Sequence, residues 1–217
     1  MSGKGKGILL GFLIAWLIWP KRAKASQPQA EGDLLLSKNF RLSEFLRSFA
    51  ELRSYLPTQS EIANLRRLVV LLLQPFRDLV GPLLVTNGLR PPGLVVTYKA
   101  PDGSLQRGSI DDALTAQGFR PSETSDHKVG LGADIYPQTL TTNTQWLNSY
   151  DWFKKNPNTR QVILYYRRNK SGALVPSHLH VAVIAEGYQR EPGASFAWVE
   201  VDGKRVPDSE VTSLSGW

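Results

Sequence analysis

The chain holds three histidines in 217 residues, and their placement constrains the fold more than any other feature. His127 lies in Ser125-Asp126-His127-Lys128-Val129-Gly130-Leu131-Gly132-Ala133-Asp134-Ile135-Tyr136, and the other two form His178-Leu179-His180. Histidine is the commonest metal ligand, and two sparse patches containing every imidazole of the chain read as one site. The seven residues from His127 to Asp134 would reach about 23–25 Å if fully extended. To share an ion the chain must fold back between them, and Gly130 and Gly132 allow the backbone angles such a reversal needs. The expectation is a zinc site built from His127, Asp134 and one of the two later histidines.

Charge distribution limits the partners. The first 25 residues carry Lys4, Lys6, Lys21, Arg22 and Lys24 with no acidic side chain, whereas the remaining 192 hold 21 basic and 19 acidic residues. A nearly neutral body is poor support for nucleic-acid binding, so no nucleic-acid partner is expected. A basic end on such a body fits a membrane surface better. The chain has no cysteine, which excludes disulfides and thiolate zinc sites and suits an oxidising compartment.

Residues 1–25 read as a hydrophobic signal or anchor segment. Lys4 and Lys6 precede the apolar run Ile8–Trp19, which Pro20 closes. The run is short for a membrane span of roughly 20 residues and matches a signal core of about 7–15. Ala23-Lys24-Ala25 has the small-x-small form of a cleavage site, although Lys21, Arg22 and Lys24 put charge where a cleaved signal is usually neutral. The expectation is a protein exported to, or anchored in, the cell envelope or periplasm, or one associated with a phage, with membrane contact through this segment. Residues 26–35 read as a linker and residues 36–217 as the folded domain.

Within that domain, Ser43 reads as the N-cap of a helix carrying Phe45, Leu46, Phe49 and Leu52. Thr58-Gln59-Ser60-Glu61 has the form of a capping box ahead of the stripe Ile62, Leu65, Leu68, Val69, Leu72 and Phe76. Pro75 would cost about 3 kcal/mol inside a regular helix, so an end or kink is expected near Gln74. Strands are expected at Leu83–Thr86, Leu94–Tyr98, Ala133–Tyr136, Val162–Tyr166, His178–Ala185 and Phe196–Val201. Helices are expected at Ile110–Ala116, capped by Ser109 or Asp111, and from Thr144 to Lys155. Tyr165, Tyr166, Trp146 and Trp152 read as core or cleft wall. Helices first and strands later, without a strict alternation, indicate an α+β domain with a small, mainly antiparallel sheet carrying the zinc site.

Ser125-x-His127-x-x-Gly130-x-x-Ala133-Asp134, the upstream Asn87-Gly88-Leu89-Arg90 and the later His-x-His resemble the M15 zinc peptidases. These are D-alanyl-D-alanine carboxypeptidases and bacterial and phage endopeptidases that cut peptidoglycan cross-links. The stretches from Leu36 to Phe45 and from Leu73 to Asp78 are similar to the M15A branch, and the resemblance runs from about Leu36 to Val183. It implies a Zn2+ held by His127, Asp134 and His180, with water in the fourth position. Spacing alone does not choose between His178 and His180; the family pattern favours His180 as ligand. It leaves His178 beside the water or carbonyl oxygen, Arg90 as the arginine that binds the substrate's peptide or terminal carboxylate, and Ser125 as a residue that helps arrange substrate. The implied substrates are peptidoglycan stem peptides. The chain departs from the pattern at Ser177, three residues before His180, where relatives carry an acidic general base. That role falls to His178, to a carboxylate such as Asp126 or Glu123, or to no residue at all.

Overall fold

The computed structural model describes residues 33–119, 121–189 and 196–206. The expected signal or anchor segment, its cleavage site and most of the linker lie outside the described residues. Among the described residues no helix is long and apolar enough to cross a membrane. Asp33 and Leu34, assigned to the linker, are hydrogen-bonded to the body: Ser43 N–H donates to Asp33 Oδ1 at 3.1 Å and Leu42 N–H to the Leu34 carbonyl at 2.9 Å.

Two short strands, β1 (Leu35–Ser37) and β2 (Phe40–Arg41), pair antiparallel and bury Leu36 and Phe40. The helix expected from Ser43 is instead two single 3-10 turns, Leu42–Phe45 and Glu51–Ser54. Ser43 is not their cap, because its hydroxyl donates to Asp33 Oδ2 at 2.6 Å. The cap falls at Arg41, whose N–H donates to Glu44 Oε1 at 2.8 Å. The apolar spacing still selects the inward side chains, with Phe45, Leu46 and Leu52 buried.

Helix α1 (Gln59–Leu68) starts on the expected capping box: Glu61 N–H donates to Thr58 Oγ1 at 3.2 Å and Thr58 N–H to Glu61 Oε2 at 2.7 Å. The interruption expected near Gln74 takes the form of a π-helical turn, Val69–Leu73, leading into α2 (Gln74–Val80). The Gln74 N–H reaches back five residues to the Val69 carbonyl. Pro75 then sits in the first turn of α2, where its missing N–H and its ring are tolerated.

The remaining elements are β3 (Leu83–Asn87), β4 (Val95–Lys99), β5 (Leu105–Ser109), α3 (Ile110–Ala116), β6 (Gly132–Pro137), α4 (Asn143–Lys155), β7 (Thr159–Arg168), β8 (Leu174–Val183), β9 (Ala197–Val201) and β10 (Lys204–Val206). Ser109 caps α3, accepting from Asp112 N–H at 3.1 Å. Strand β5 was not expected, because its polar sequence is exposed along most of its length. It forms a separate hairpin with β4, which packs with α3 around Leu46, Leu52, Leu89, Val96 and Ile110.

The main sheet has the order β10-β9-β7-β8-β6-β3 and is antiparallel except for the parallel β7–β9 pair. Alternation along the strands divides its side chains between two faces. Ala133, Ile135, Val162, Leu164, Tyr166, Leu179, Val181 and Val199 join Leu65, Leu72, Phe76 and Phe153 in one core beneath the helices. Asp134, Ile163, Tyr165, His178, His180, Trp198 and Glu200 alternate with them and occupy the opposite face. The register sets Asp134 across from His180 and His178 across from Tyr165. The fold is therefore α+β, with a mixed six-stranded sheet and two small two-stranded sheets.

Candidate metal centre

His127 sits in a 3-10 turn, Asp126–Val129, that ends on Gly130 in the left-handed conformation at φ 77°. A Cβ at Gly130 would also approach the Glu61 carbonyl oxygen to 2.9 Å. The Leu131 N–H closes the reversal on the Asp126 carbonyl at 2.9 Å, and β6 begins one residue later. At Gly132 a Cβ would stand 2.9 Å from Asp126 Cβ and 3.2 Å from His180 Cε1. The first glycine is needed for its backbone angle, and the second because His180 packs against its bare Cα.

This reversal brings Asp134 on β6 beside His127, and strand pairing adds His180 from β8. His180 Nδ1 lies 2.9 Å from Asp134 Oδ1 and 3.1 Å from His127 Nε2, and His127 Nε2 lies 3.3 Å from Asp134 Oδ1. A tetrahedral ion about 2.0–2.1 Å from each ligand needs ligand atoms roughly 3.3–3.4 Å apart. The three atoms stand close to that spacing. Lone pairs this near one another repel unless a positive species lies between them, either a proton on His180 Nδ1 or a metal cation. Two imidazoles and one carboxylate suit several first-row divalent ions and leave a fourth position open.

Neighbouring groups orient two of the three side chains. His127 Nδ1 donates to the Gly88 carbonyl at 2.7 Å, which puts the hydrogen on Nδ1 and leaves the Nε2 lone pair facing the centre. Asn87 Nδ2 donates to Asp134 Oδ2 at 3.2 Å and frees Oδ1 for the same point. Burial opposes ionisation of Asp134, but the two imidazoles beside it and the hydrogen bond from His180 outweigh it and hold the carboxyl well below its ordinary range. Burial, reinforced by repulsion from His127 and Arg90, pushes the His180 imidazole below its ordinary value despite the pull of Asp134. A carboxylate and a neutral imidazole at neutral pH are the forms in which both groups ligate cations.

The other residues singled out in the sequence fall around this triad. His178 lies outside the ligand set, two residues before His180 on the same face of β8. Its Nδ1 is 3.1 Å from Ser177 Oγ, and burial lowers its basicity. Arg90 is 7% exposed; its Nη2 donates to Ser125 Oγ and its Nη1 lies 3.5 Å from Asp111 Oδ1. Its Nε is buried with no hydrogen-bond partner among the described residues. Its backbone N–H donates to the His127 carbonyl at 2.9 Å, tying the Asn87–Arg90 stretch to the metal loop. Asp126, a candidate base, is ion-paired with Arg160. Glu123 is exposed on a turn outside the ligand set.

Several contributors escaped the sequence reading. Asn87 and the Gly88 carbonyl act through the pairing of β3 with β6, and Asp111, which also binds Lys128 at 2.7 Å, acts from α3. Glu200 lies opposite Tyr165 on β9, and burial raises its carboxyl above the ordinary range. Period-two alternation could have put Asn87 and Glu200 on strand faces, but nothing local in the chain gives the strand order. Comparison of the chain with protein-family models, with curated proteins and with solved structures gives no match.

Proposed function

We propose that the protein is a zinc-dependent peptidase that cleaves peptidoglycan stem peptides, as a D-alanyl-D-alanine carboxypeptidase or a cross-link endopeptidase. The observation that carries this reading is the meeting of His127 Nε2, Asp134 Oδ1 and His180 Nδ1 within 3.3 Å, with His127 and Asp134 oriented by Gly88 and Asn87. The motif resemblance supplies the substrate class, and the basic, apolar N-terminal stretch supplies delivery to the envelope. A zinc ion held by the triad would bring the pKa of its water down to about 7 and polarise a carbonyl.

The chain's own residues divide the remaining work. Arg90, held by Ser125 and Asp111, offers a guanidinium fork to a substrate carboxylate or peptide carbonyl. His178, neutral at neutral pH with its Nδ1 3.1 Å from Ser177 Oγ, accepts a proton at Nε2 in the tautomer that carries its hydrogen on Nδ1. Such a base contributes about 10²–10⁴-fold to turnover.

One observation favours a second reading, a zinc-holding protein with impaired turnover that binds cell wall or serves as a phage structural component. Ser177 stands where the family pattern has an acid, and the nearby Asp126 carboxylate is committed to Arg160. Metal analysis of untagged protein followed by mass spectrometry of a muropeptide digest separates the two. One zinc per chain with released D-alanine or uncrosslinked muropeptides supports the enzyme. One zinc per chain, intact muropeptides and peptide binding that disappears in Arg90→Ala support the second reading.

A further inference from the structure

Tyr165 is the residue of this face whose placement the triad leaves unexplained. It projects from β7 directly across from His178 on β8, and the two rings stack at 4.4 Å between centroids and 16° between planes. The stack accounts for the ring but not for the hydroxyl, which makes no hydrogen bond among the described residues. Its neighbour Tyr166 points into the core beneath the helices, where no ligand can reach. Tyr165 is half-buried on the face that holds His180 and Asp134. Burial first, then the negative charges of Asp134 and Glu200, push its phenol well above its ordinary value, against the pull of Arg90. A phenol that stays protonated amid these charges is a permanent hydrogen-bond donor. A donor aimed at an oxygen that gains negative charge is worth more there than in water.

We propose that Tyr165 is a further substrate-contacting residue of the metal centre, its phenol O–H donating to an oxygen atom of a ligand that occupies the open metal position beside His178. The ligand class is one with a metal-directed oxygen carrying partial or full negative charge: a polarised peptide carbonyl, a carboxylate or a hydroxamate. The inference rests on the metal-peptidase reading but not on turnover. The two aromatic side chains position the donor. Tyr165 is held by its stack on His178, and His178 is held by Ser177.

The test uses the full chain loaded with zinc and compares wild type with Tyr165→Phe, which keeps the stack and removes only the hydroxyl. Zinc per chain and melting temperature are expected to be unchanged. The affinity for acetohydroxamate, followed by titration calorimetry, is expected to fall about tenfold or more, the loss of one hydrogen bond to a charged group. Where wild type cuts muropeptides, kcat should fall with little change in KM. Equal acetohydroxamate affinity in the two proteins, or no binding by either zinc-loaded form, overturns the role of Tyr165. Wild type that binds acetohydroxamate yet leaves muropeptides uncut overturns the peptidase reading, while the affinity ratio still decides Tyr165. Wild type that takes up no zinc overturns both.

Discussion

At the scale of single residues, the centre separates three side chains that converge on one point and could hold an ion from groups that stand beside them. His180 contributes Nδ1 to the triad, whereas His178 contributes none of the converging atoms. His180→Ala should therefore lose both zinc and activity. His178→Ala should keep one zinc per chain and lose about 10²–10⁴-fold in turnover. Elemental analysis beside a muropeptide assay checks the pair, and zinc loss in His178→Ala would reverse the assignment. The same histidines set an acid limit. Burial lowers the basicity of both, so between their folded values and the unfolded value near 6.5 the unfolded chain binds more protons. Their contribution to stability is complete above about pH 6.5 and is lost as pH falls through the lowered folded values. Asp134, held well below its ordinary range, adds a second loss at more acidic pH, as pH falls from the unfolded value near 3.9 through its folded one. Melting temperatures recorded in chelator from pH 8 to pH 4 should fall below pH 6.5, and a flat profile would refute this. The triad was legible in the sequence because histidine is rare here and its chemistry narrow. Asn87 and Asp111 were not, because polar side chains are common and only proximity gives these two a role.

At the scale of elements, local rules located most segments and erred where a side chain had a stronger distant partner. Thr58 and Ser109 cap helices as their sequences indicate, since a capping box closes within four residues. Ser43 does not, because Asp33, ten residues away, takes its hydroxyl. Near Pro75 the chemistry indicated an interruption, but whether it would be a break, a kink or a wide turn depended on the core that Leu72, Leu73 and Phe76 fill. The metal loop gives a sharper prediction. In Gly132→Ala the new Cβ would meet Asp126 Cβ at 2.9 Å and His180 Cε1 at 3.2 Å. Overpacking of this kind costs about 1–3 kcal/mol, and relief would displace His180 from the triad. The variant should lose zinc affinity in a chelator competition. Thr58→Ala should cost about 1 kcal/mol in denaturant unfolding and leave zinc affinity unchanged. Equal zinc affinity in Gly132→Ala and wild type would show that the ligand does not depend on this contact.

At the scale of the whole molecule, the triad joins a loop, a strand and that strand's sheet partner, so an ion there cross-links pieces that are separate in the unfolded chain. Metal binding is then linked to global stability. At free zinc a hundredfold above its dissociation constant the gain is about 2.7 kcal/mol, or roughly 5–10 °C in melting temperature for a domain of this size. Removing zinc with chelator at pH 7.5 should lower the melting temperature by that amount in wild type and leave His180→Ala unmoved. An equal shift in both would place the stabilising ion elsewhere.

The sequence by itself determined the α+β class, most strand and helix positions, and the residue types from which a metal centre could be made. These follow from periodicity, capping and side-chain chemistry, which act over a few residues. The tertiary structure brought His180, which the resemblance favoured, to the other two ligands, and it alone decided that Arg90 is held by Ser125. It also decided that Tyr165 stacks on His178 and not in the core. Each of these depends on which strand lies beside which and in what register. That is set by packing of the whole core beneath the helices, a sum over many weak contacts that no local stretch of chain encodes.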